Sequence, residues 1–256
     1  MAHIEIHQVP VLRDNFVYLV REPKSKSVGI VDPAVAAPVL DEAKRLGWNV
    51  THILNTHHHN DHTGGNLEIK KRTGCTIVGP QHDRDRIPGI DVEVKDSETY
   101  KLGNEEAQIL FVPGHTRGHI AYWFKASNAL FCGDTLFSIG CGRLFEGTPE
   151  QMWKSLSKLR TLPPQTRVYC AHEYTEENIR FAVTVDPNNE ALRKREEQVT
   201  KLRSQMLPTV PSTLGMELAA NPFLRADQPS LQEAMGMLGA DPIEVFAEVR
   251  LRKDVF

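Results

Sequence analysis

Apolar and polar positions alternate along the chain in two ways, and the change from one to the other divides it. In the first two-thirds, short β-type segments such as Phe16–Val20 and Val28–Val31 are separated by Pro, Asn, Asp and Gly, which form turns between strands. Residues Pro38–Leu46 instead place apolar side chains on one helical face and precede Gly47, a helix terminator. This mixture predicts an α/β domain.

Further short elements are predicted up to residue 170. Ser127 and Asn128 read as a turn, so the strands on either side of them form a predicted hairpin. Thr148–Gln151 is a capping box with Pro149 at the first helical position, which predicts a helix to about Arg160. The other predicted elements are a short helix after Gly65 and strands at Ile4–Ile6, Thr51–Asn55, Cys75–Val78, Gln108–Val112, Ile120–Phe124, Ala129–Cys132 and Arg167–Cys170.

Beyond His172 the pattern becomes helical. Asn189 opens a segment whose apolar residues recur at helical spacing and whose other faces are charged. Ser230 and Asp241 begin two further segments with N-cap sequences. We therefore predict a domain boundary near residues 170–175.

The composition is that of an ordinary globular protein. Of the 256 residues, 40% are hydrophobic and 25% are charged. The net charge of −3 argues against general nucleic-acid binding, which usually requires a basic surface. No apolar run approaches the ~18 residues that span a bilayer. The N-terminal segment lacks the pattern of a secretory signal, so we expect a cytoplasmic protein that binds neither membranes nor nucleic acids.

The cysteines do not suggest a disulfide framework or a zinc ribbon, because their spacing is irregular and no C-x-x-C occurs. We expect four core or near-surface thiols. They are Cys75, Cys132, Cys141 and Cys170. No base is placed to activate Cys141, so its expected role is to line a site.

Histidine is the residue that stands out, with 11 in the chain and five of them between positions 52 and 62. In an extended segment His57 and His59 point the same way, towards one metal ion. Asp61 and His62 follow the predicted strand end, where a loop turns them to a second ion. A solvated histidine-rich loop is the alternative, but the aspartate between a strand and a glycine turn favours a zinc or iron site.

Three more candidate ligands follow predicted strands: His115, Asp134 and His172. Each alone could be an ordinary loop residue. Together with the histidine run, however, four strand ends each deliver a histidine or aspartate. Ligands that converge from separate strands at one sheet edge form an enclosed site.

These motifs carry a family resemblance. T-H-H-H-N-D-H at 56–62, P-G-H-T-R-G-H at 113–119, G-D-T at 133–135 and A-H-E-Y at 171–174 resemble the metallo-β-lactamase-like superfamily. Within it the chain is similar to the glyoxalase II (hydroxyacylglutathione hydrolase) family, through F-C-G-D-T-L-F, C-G-R-L-F-E-G, C-A-H-E-Y-T-E-E-N, N-P-F-L-R at 221–225 and R-L-R-K-D at 250–254. The match extends over the whole chain.

The resemblance implies an αβ/βα sandwich in residues 1–172, the catalytic domain, and a smaller helical substrate-binding domain in residues 173–256. It also implies two divalent metal ions, zinc in the first place, with iron or manganese as alternatives. One ion is held by His57, His59 and His115. The other is held by Asp61, His62 and His172, and Asp134 bridges the two.

The implied activity is the hydrolysis of S-D-lactoylglutathione and related S-2-hydroxyacylglutathiones to D-lactate and glutathione, the second step of methylglyoxal detoxification. Two ions that share a water lower its pKa and supply a hydroxide nucleophile at neutral pH. Asp61 and Asp134 are the catalytic candidates because they bind that ion pair. The expected partner is a small-molecule glutathione thioester, and the expected state is a monomer.

The substrate has carboxylates, so we expect cationic side chains to bind it. The resemblance implies four substrate-binding residues, namely Arg250, Lys253, Arg143 and Tyr174. A basic C-terminal helix end is otherwise most often a solvated one. Other glyoxalases II have Lys and Tyr where this chain has Arg143 and Phe145. The loss of a hydroxyl at Phe145 leaves the detailed substrate pose open.

Other members of the superfamily fit less well. Flavodiiron proteins have a carboxylate where this chain has His59, and β-lactamases of this class have a cysteine where it has Asp134. A nuclease would need a basic face. A protein that keeps the fold only for binding would have lost metal ligands, and all seven are present here. A persulfide dioxygenase, or another oxidoreductase on this fold, remains the alternative. Two neighbouring residues are open: Asp32 either orients a ligand histidine or is a turn aspartate, and His119 is expected to pack beneath the site.

Overall fold

The computed structural model describes residues 3–256, which form two compact units. The first unit comprises the residues up to Phe111 together with Gly118–Gly133. The second comprises Val112–Arg117 together with Asp134–Phe256. Met1 and Ala2, with which the predicted catalytic domain begins, lie outside the described residues. Within residues 3–256, the helices are all too short or too polar to cross a membrane.

The first unit contains a six-stranded sheet whose strands follow the order of the chain. Its first three strands run antiparallel, and the third to sixth run parallel to one another. The strands are β1 (Glu5–Val11), β2 (Asn15–Arg21), β3 (Val28–Val31), β4 (His52–Leu54), β5 (Thr76–Pro80) and β6 (Val92–Val94). Between them lie the helices α1 (Ala37–Arg45), α2 (Asn60–Thr63) and α3 (Asn66–Thr73).

The same unit contains an antiparallel run of four strands. They are β7 (Thr99–Leu102), β8 (Glu105–Phe111), β9 (Ile120–Phe124) and β10 (Ala129–Gly133). The ring of Tyr18 in β2 lies 5.5 Å from that of Phe131 in β10, and the Tyr122 hydroxyl donates to the carbonyl of Asn55 at 2.9 Å. The two sets of strands therefore pack face to face within this unit.

Strand β2 is buried on both sides because its side chains alternate between two layers. Tyr18 faces the antiparallel strands, whereas Val17 and Leu19 pack in a cluster with Val39 of α1 and Ile69 of α3. All five residues are almost completely buried. Burying each of the aliphatic side chains contributes about 1.5–3 kcal/mol to the stability of the fold. This packing stabilises the sheet from which the histidine run follows.

The second unit is mainly helical. Its strands are β11 (Leu136–Phe137), β12 (Gly140–Cys141), β13 (Arg167–Cys170) and β14 (Ser212–Thr213), with β11 paired to β12 and β13 to β14. Its helices are α4 (Pro149–Arg160), α5 (Thr175–Val185), α6 (Glu190–Ser204), α7 (Leu214–Ala220), α8 (Pro229–Ala234) and α9 (Pro242–Asp254).

Most predicted elements are confirmed where a local signal marks their ends. The capping box of α4 is present in both directions, and Asn189 and Asp241 cap α6 and α9. Ser230 was wrongly predicted as a cap, because α8 begins at Pro229 behind Gln228. Helices α2 and α5 were not predicted, and neither has a side-chain hydrogen bond at its N-cap.

Candidate metal centre and substrate cavity

The histidine run lies in a loop and a helical turn of the first unit, and the prediction of an extended strand there is wrong. Strand β4 ends at Leu54, and His59 is the N-cap of α2. The loop nevertheless brings His57 Nε2 to within 3.1 Å of His59 Nδ1. Asp61 and His62 lie in the first turn of α2, with Asp61 Oδ2 3.5 Å from His62 Nε2. The four side chains thus converge through a loop–helix junction and not through strand alternation.

Asp32 determines which ring nitrogens of this group carry protons. It lies just after β3 with φ of +50°, and its Oδ2 is 3.1 Å from His62 Nδ1. The same carboxylate accepts from the Thr56 amide at 2.8 Å and from the Thr56 hydroxyl at 2.7 Å. Because a carboxylate only accepts, the proton of a neutral His62 is on Nδ1 and its lone pair is on Nε2.

His57 is oriented by the same carboxylate through one intermediate. The Thr56 hydroxyl donates its hydrogen bond to Asp32, so its oxygen accepts from His57 Nδ1 at 3.0 Å. The Nε2 atoms of His57 and His62 therefore both have the lone pair that metal coordination requires. Of the two interpretations of Asp32, the structure supports the one in which it orients ligand histidines.

Two further histidines lie beside this group, and neither has the position of a candidate ligand. His58 Nδ1 lies 3.1 Å from Asp83 Oδ2, and Arg86 Nη1 donates to His58 Nε2 at 3.2 Å, so His58 is turned away from His57 as predicted. His119 is buried and stacks on His57 with 4.5 Å between ring centroids. It therefore packs beneath the histidine run.

In the second unit Asp134 lies between two histidines. Its Oδ2 is 3.4 Å from His115 Nε2 and also 3.4 Å from His172 Nε2. His115 Nδ1 donates to the carbonyl of Arg143 at 2.9 Å, which places the lone pair of a neutral ring on Nε2. The backbone at residue 142 packs closely against Asp134 and His115, and only glycine fits there, because a Cβ would collide with the Asp134 carbonyl.

These donor sets fit divalent metal ions. A neutral His115 turns a lone pair towards a carboxylate oxygen, an arrangement that a cation between the two atoms stabilises. Imidazole and carboxylate together suit zinc, iron and manganese. The first unit supplies His57, His59, Asp61 and His62, and the second supplies His115, Asp134 and His172.

A cavity of about 590 Å³ opens in the second unit. Two of the candidate metal ligands, His115 and Asp134, line it together with all four predicted substrate-binding residues. Those four are Arg143, Tyr174, Arg250 and Lys253. The ring of Tyr174 stacks on His172 at 4.7 Å. Candidate metal ligands and cationic side chains therefore line one cavity, an arrangement that suits the binding of an anionic ligand beside a metal ion.

The two basic residues of α9 that line the cavity have different contacts there. Arg250 is buried, and its Nη1 donates to the carbonyl of Cys141 at 3.1 Å while its Nη2 lies 2.9 Å from Asp254. Lys253 Nζ donates to the carbonyl of Glu177 at 3.2 Å. Burial lowers the pKa of Lys253, and the charges of Arg250, Arg180 and Arg143 add to this. The cavity wall thus has several positively charged side chains close enough to affect one another.

Cys141 lines the cavity without being an activated nucleophile. Burial raises the pKa of its thiol to about 11, against the opposing effect of Arg250. All four cysteines are buried and free, as expected. Phe145 also lines the cavity, with its ring 5.2 Å from that of His115. Three further lining residues belong to α5, and no sequence pattern predicted that helix or their place at the cavity. They are Glu177, Asn178 and Arg180.

Comparison with known proteins identifies the family. The model of the metallo-beta-lactamase superfamily matches residues 11–172, and that of the hydroxyacylglutathione hydrolase C-terminus matches residues 173–256. The hydroxyacylglutathione hydrolase of Methylococcus capsulatus is 59% identical over 253 residues, covering 99% of both chains. That of Rhodospirillum rubrum is 59% identical over 256 residues, covering 100% of both. The chain belongs to the hydroxyacylglutathione hydrolase family.

The same comparisons confirm the predicted fold and class. The B3 metallo-beta-lactamase BLEG-1 superposes with a TM-score of 0.66 at 22% identity, covering 86% of this chain and 99% of that chain. This likeness shows the metallo-β-lactamase fold. Membership in the hydroxyacylglutathione hydrolase family makes the chain a hydrolase, and full-length relatives with that name do not favour the dioxygenase alternative.

Proposed function

We propose that the chain hydrolyses S-D-lactoylglutathione and related S-2-hydroxyacylglutathiones to the hydroxy acid and glutathione, the second step of methylglyoxal detoxification. The observation that carries this proposal is the cavity of the second unit. There His115 and Asp134 lie in the same space as Arg143 and Lys253, so a reacting thioester and an anionic thiol carrier both find complementary groups. The name shared by the curated relatives supports the same substrate class.

We propose two divalent ions as cofactors, zinc in the first place and iron or manganese as alternatives. When bound, they activate water and polarise the thioester carbonyl. Asp61 and Asp134 are the catalytic carboxylates because they hold the ions. The equal distances from Asp134 Oδ2 to two histidines support its bridging role. The proposed ligands are His57, His59 and His115 for one ion, Asp61, His62 and His172 for the other, and Asp134 for both.

The cavity residues bind and orient the substrate. Lys253 and Arg143 are the cations proposed to meet its glycine carboxylate. Tyr174 is held by its stacking on His172, and so places its ring beside a ligand. Arg250 is proposed to bind the substrate beside Lys253, and it also braces this wall, because its guanidinium joins α9 to the Cys141 carbonyl. Thiolate is a better leaving group than an amine, so the reaction needs no dedicated acid.

The division of labour along the chain is also a proposal. We propose residues 1–172 as the catalytic domain and residues 173–256 as the helical substrate-binding domain, bounds that agree with the ranges matched by the two family models. We further propose that the protein is a cytoplasmic monomer. The four free, buried cysteines agree with a reducing compartment, and light scattering of the purified protein measures its mass.

The test is direct. Protein loaded with two equivalents of zinc is mixed with S-D-lactoylglutathione, and free thiol and D-lactate are both measured. We expect the two products in equal amounts without oxygen uptake. If protein of verified metal content releases no thiol, the proposal is wrong. Oxygen consumption with glutathione persulfide would instead point to a dioxygenase.

A further inference from the structure

Two oppositely charged residues of α5 lie at the cavity, and the proposed mechanism does not use them. Glu177 and Arg180 both line it. They are three residues apart on the helix, so their side chains leave from neighbouring positions on one face. Their side chains are 66% and 69% exposed, and Arg180 Nη2 lies 3.7 Å from Glu177 Oε1. The cavity thus has an anion and a cation side by side at an open part of its wall.

The proposed substrate has more charged groups than the residues named so far can bind. A glutathione thioester has a glycine carboxylate at one end and an amino-acid group, with one ammonium and one carboxylate, at the γ-glutamyl end. Arg250 is already engaged with Asp254 and the Cys141 carbonyl. Arg143 and Lys253 then serve the glycine carboxylate, which leaves the γ-glutamyl carboxylate and ammonium without partners.

We infer that Glu177 and Arg180 form the subsite for the γ-glutamyl amino-acid group of the substrate. The Glu177 carboxylate accepts hydrogen bonds from the ammonium, and the Arg180 guanidinium donates to the α-carboxylate. This inference rests on the proposed function, since it concerns the thiol carrier of that same reaction. It makes the pair a determinant of specificity for glutathione over shorter thiols.

The existing contact between the two residues does not oppose this role. An exposed pair at this distance contributes little to stability, because water screens it and both side chains lose rotamer freedom. Exchanging it for two charge-assisted contacts with the substrate is therefore favourable.

The backbone beneath the pair is well anchored, which a specificity subsite needs. Asn178 Nδ2 donates to the carbonyl of Ser138 at 3.1 Å, and Lys253 Nζ donates to the carbonyl of Glu177 at 3.2 Å. The first bond ties α5 to the segment between β11 and β12, and the second ties it to α9. The two charged side chains therefore start from fixed positions even though their ends are exposed.

The test compares two thioesters on the metal-loaded enzyme: S-D-lactoylglutathione and S-D-lactoyl-N-acetylcysteinylglycine, which lacks the γ-glutamyl group and whose blocked amine prevents transfer of the acyl group from sulfur to nitrogen. We expect Arg180→Ala and Glu177→Gln each to raise KM for the first about 5- to 10-fold. The kcat should not change, and neither should KM for the second substrate. Arg180→Lys should recover part of the loss. Arg193→Ala is the matched control, because Arg193 forms an exposed pair with Glu196 three residues away on α6.

Binding gives a readout independent of turnover. S-methylglutathione and S-methyl-N-acetylcysteinylglycine are titrated calorimetrically, and the higher affinity for S-methylglutathione should disappear in the Glu177→Gln/Arg180→Ala double variant. Unchanged constants, or equal losses for both ligands, would overturn the subsite. If the wild-type enzyme hydrolyses neither thioester, the proposed function fails instead, so the two failures are distinguishable.

Discussion

Asp32 Oδ2 accepts a hydrogen bond from His62 Nδ1 at 3.1 Å. Through the Thr56 hydroxyl the same carboxylate also orients His57. One buried side chain, 25 and 30 positions away in sequence, thus sets the tautomers of two proposed metal ligands. Substitution of Asp32 should therefore weaken metal binding more than it lowers the stability of the fold.

We expect Asp32→Asn to weaken metal binding about 10- to 100-fold, the usual effect of losing a partner of a ligand histidine. An amide presents only one acceptor oxygen, so it satisfies fewer of the donors that now meet the carboxylate. Metal retained after dialysis against graded chelator gives the affinity. Asp41→Asn, at an exposed position of α1, is the control, and equal metal retention in both variants would contradict the orienting role.

Asp134→Ala should abolish both activity and the binding of at least one ion, because the residue removed lies between His115 and His172. Elemental analysis beside the thiol-release assay measures both. Asp85→Ala, which changes the same charge at an exposed position, should leave both unchanged. Full activity of the Asp134 variant would rule out a bridging role.

Substitution of the two cavity-lining basic residues of α9 should change the free energy of unfolding by different amounts. Arg250→Ala removes a buried guanidinium from the Cys141 carbonyl, Asp254 and the face of Phe223, and should cost about 2 kcal/mol of unfolding free energy. Lys253→Ala should cost less than about 1 kcal/mol, since Lys253 is only half-buried. Urea denaturation of the two variants gives the comparison, and equal losses would show that Arg250 is not a brace.

The same two residues should act together on substrate affinity. The Arg250→Ala/Lys253→Ala double variant should raise KM for glutathione thioesters far more than for a small neutral thioester, because only the former carries carboxylates to the cavity. Steady-state kinetics on both substrates decide this. A parallel rise would mean that the variant has damaged the catalytic centre instead.

Cys141 should resist alkylation at neutral pH. Burial raises its pKa to about 11, and only the thiolate reacts, so at pH 8 about 0.1% of the thiol is reactive. Reactivity should rise with pH towards 11 in the native protein and already near 8.5 after unfolding. Mass spectrometry after iodoacetamide treatment locates the label. Rapid labelling of native Cys141 at pH 7 would overturn the assignment of a passive lining residue.

The sequence by itself determined the family and those elements whose ends have local signals. The capping box at Thr148–Gln151 and the cap at Asn189 specify their helices within one turn, because the interacting atoms are only a few residues apart. The histidine run and the strand-end ligands identified the superfamily in the same way. Such signals survive without knowledge of the fold.

The tertiary structure decided how those residues work. The convergence of His57 and His59 comes from a loop that leaves β4 at Leu54, and the sequence alone predicted that the strand's side-chain alternation would continue through an extended segment there. The contacts of Asp32 with His62, of Arg250 with Cys141 and of α5 with the cavity join positions 30 to 109 residues apart. Local propensity has no information on such pairs, since they form only when packed elements bring distant side chains together.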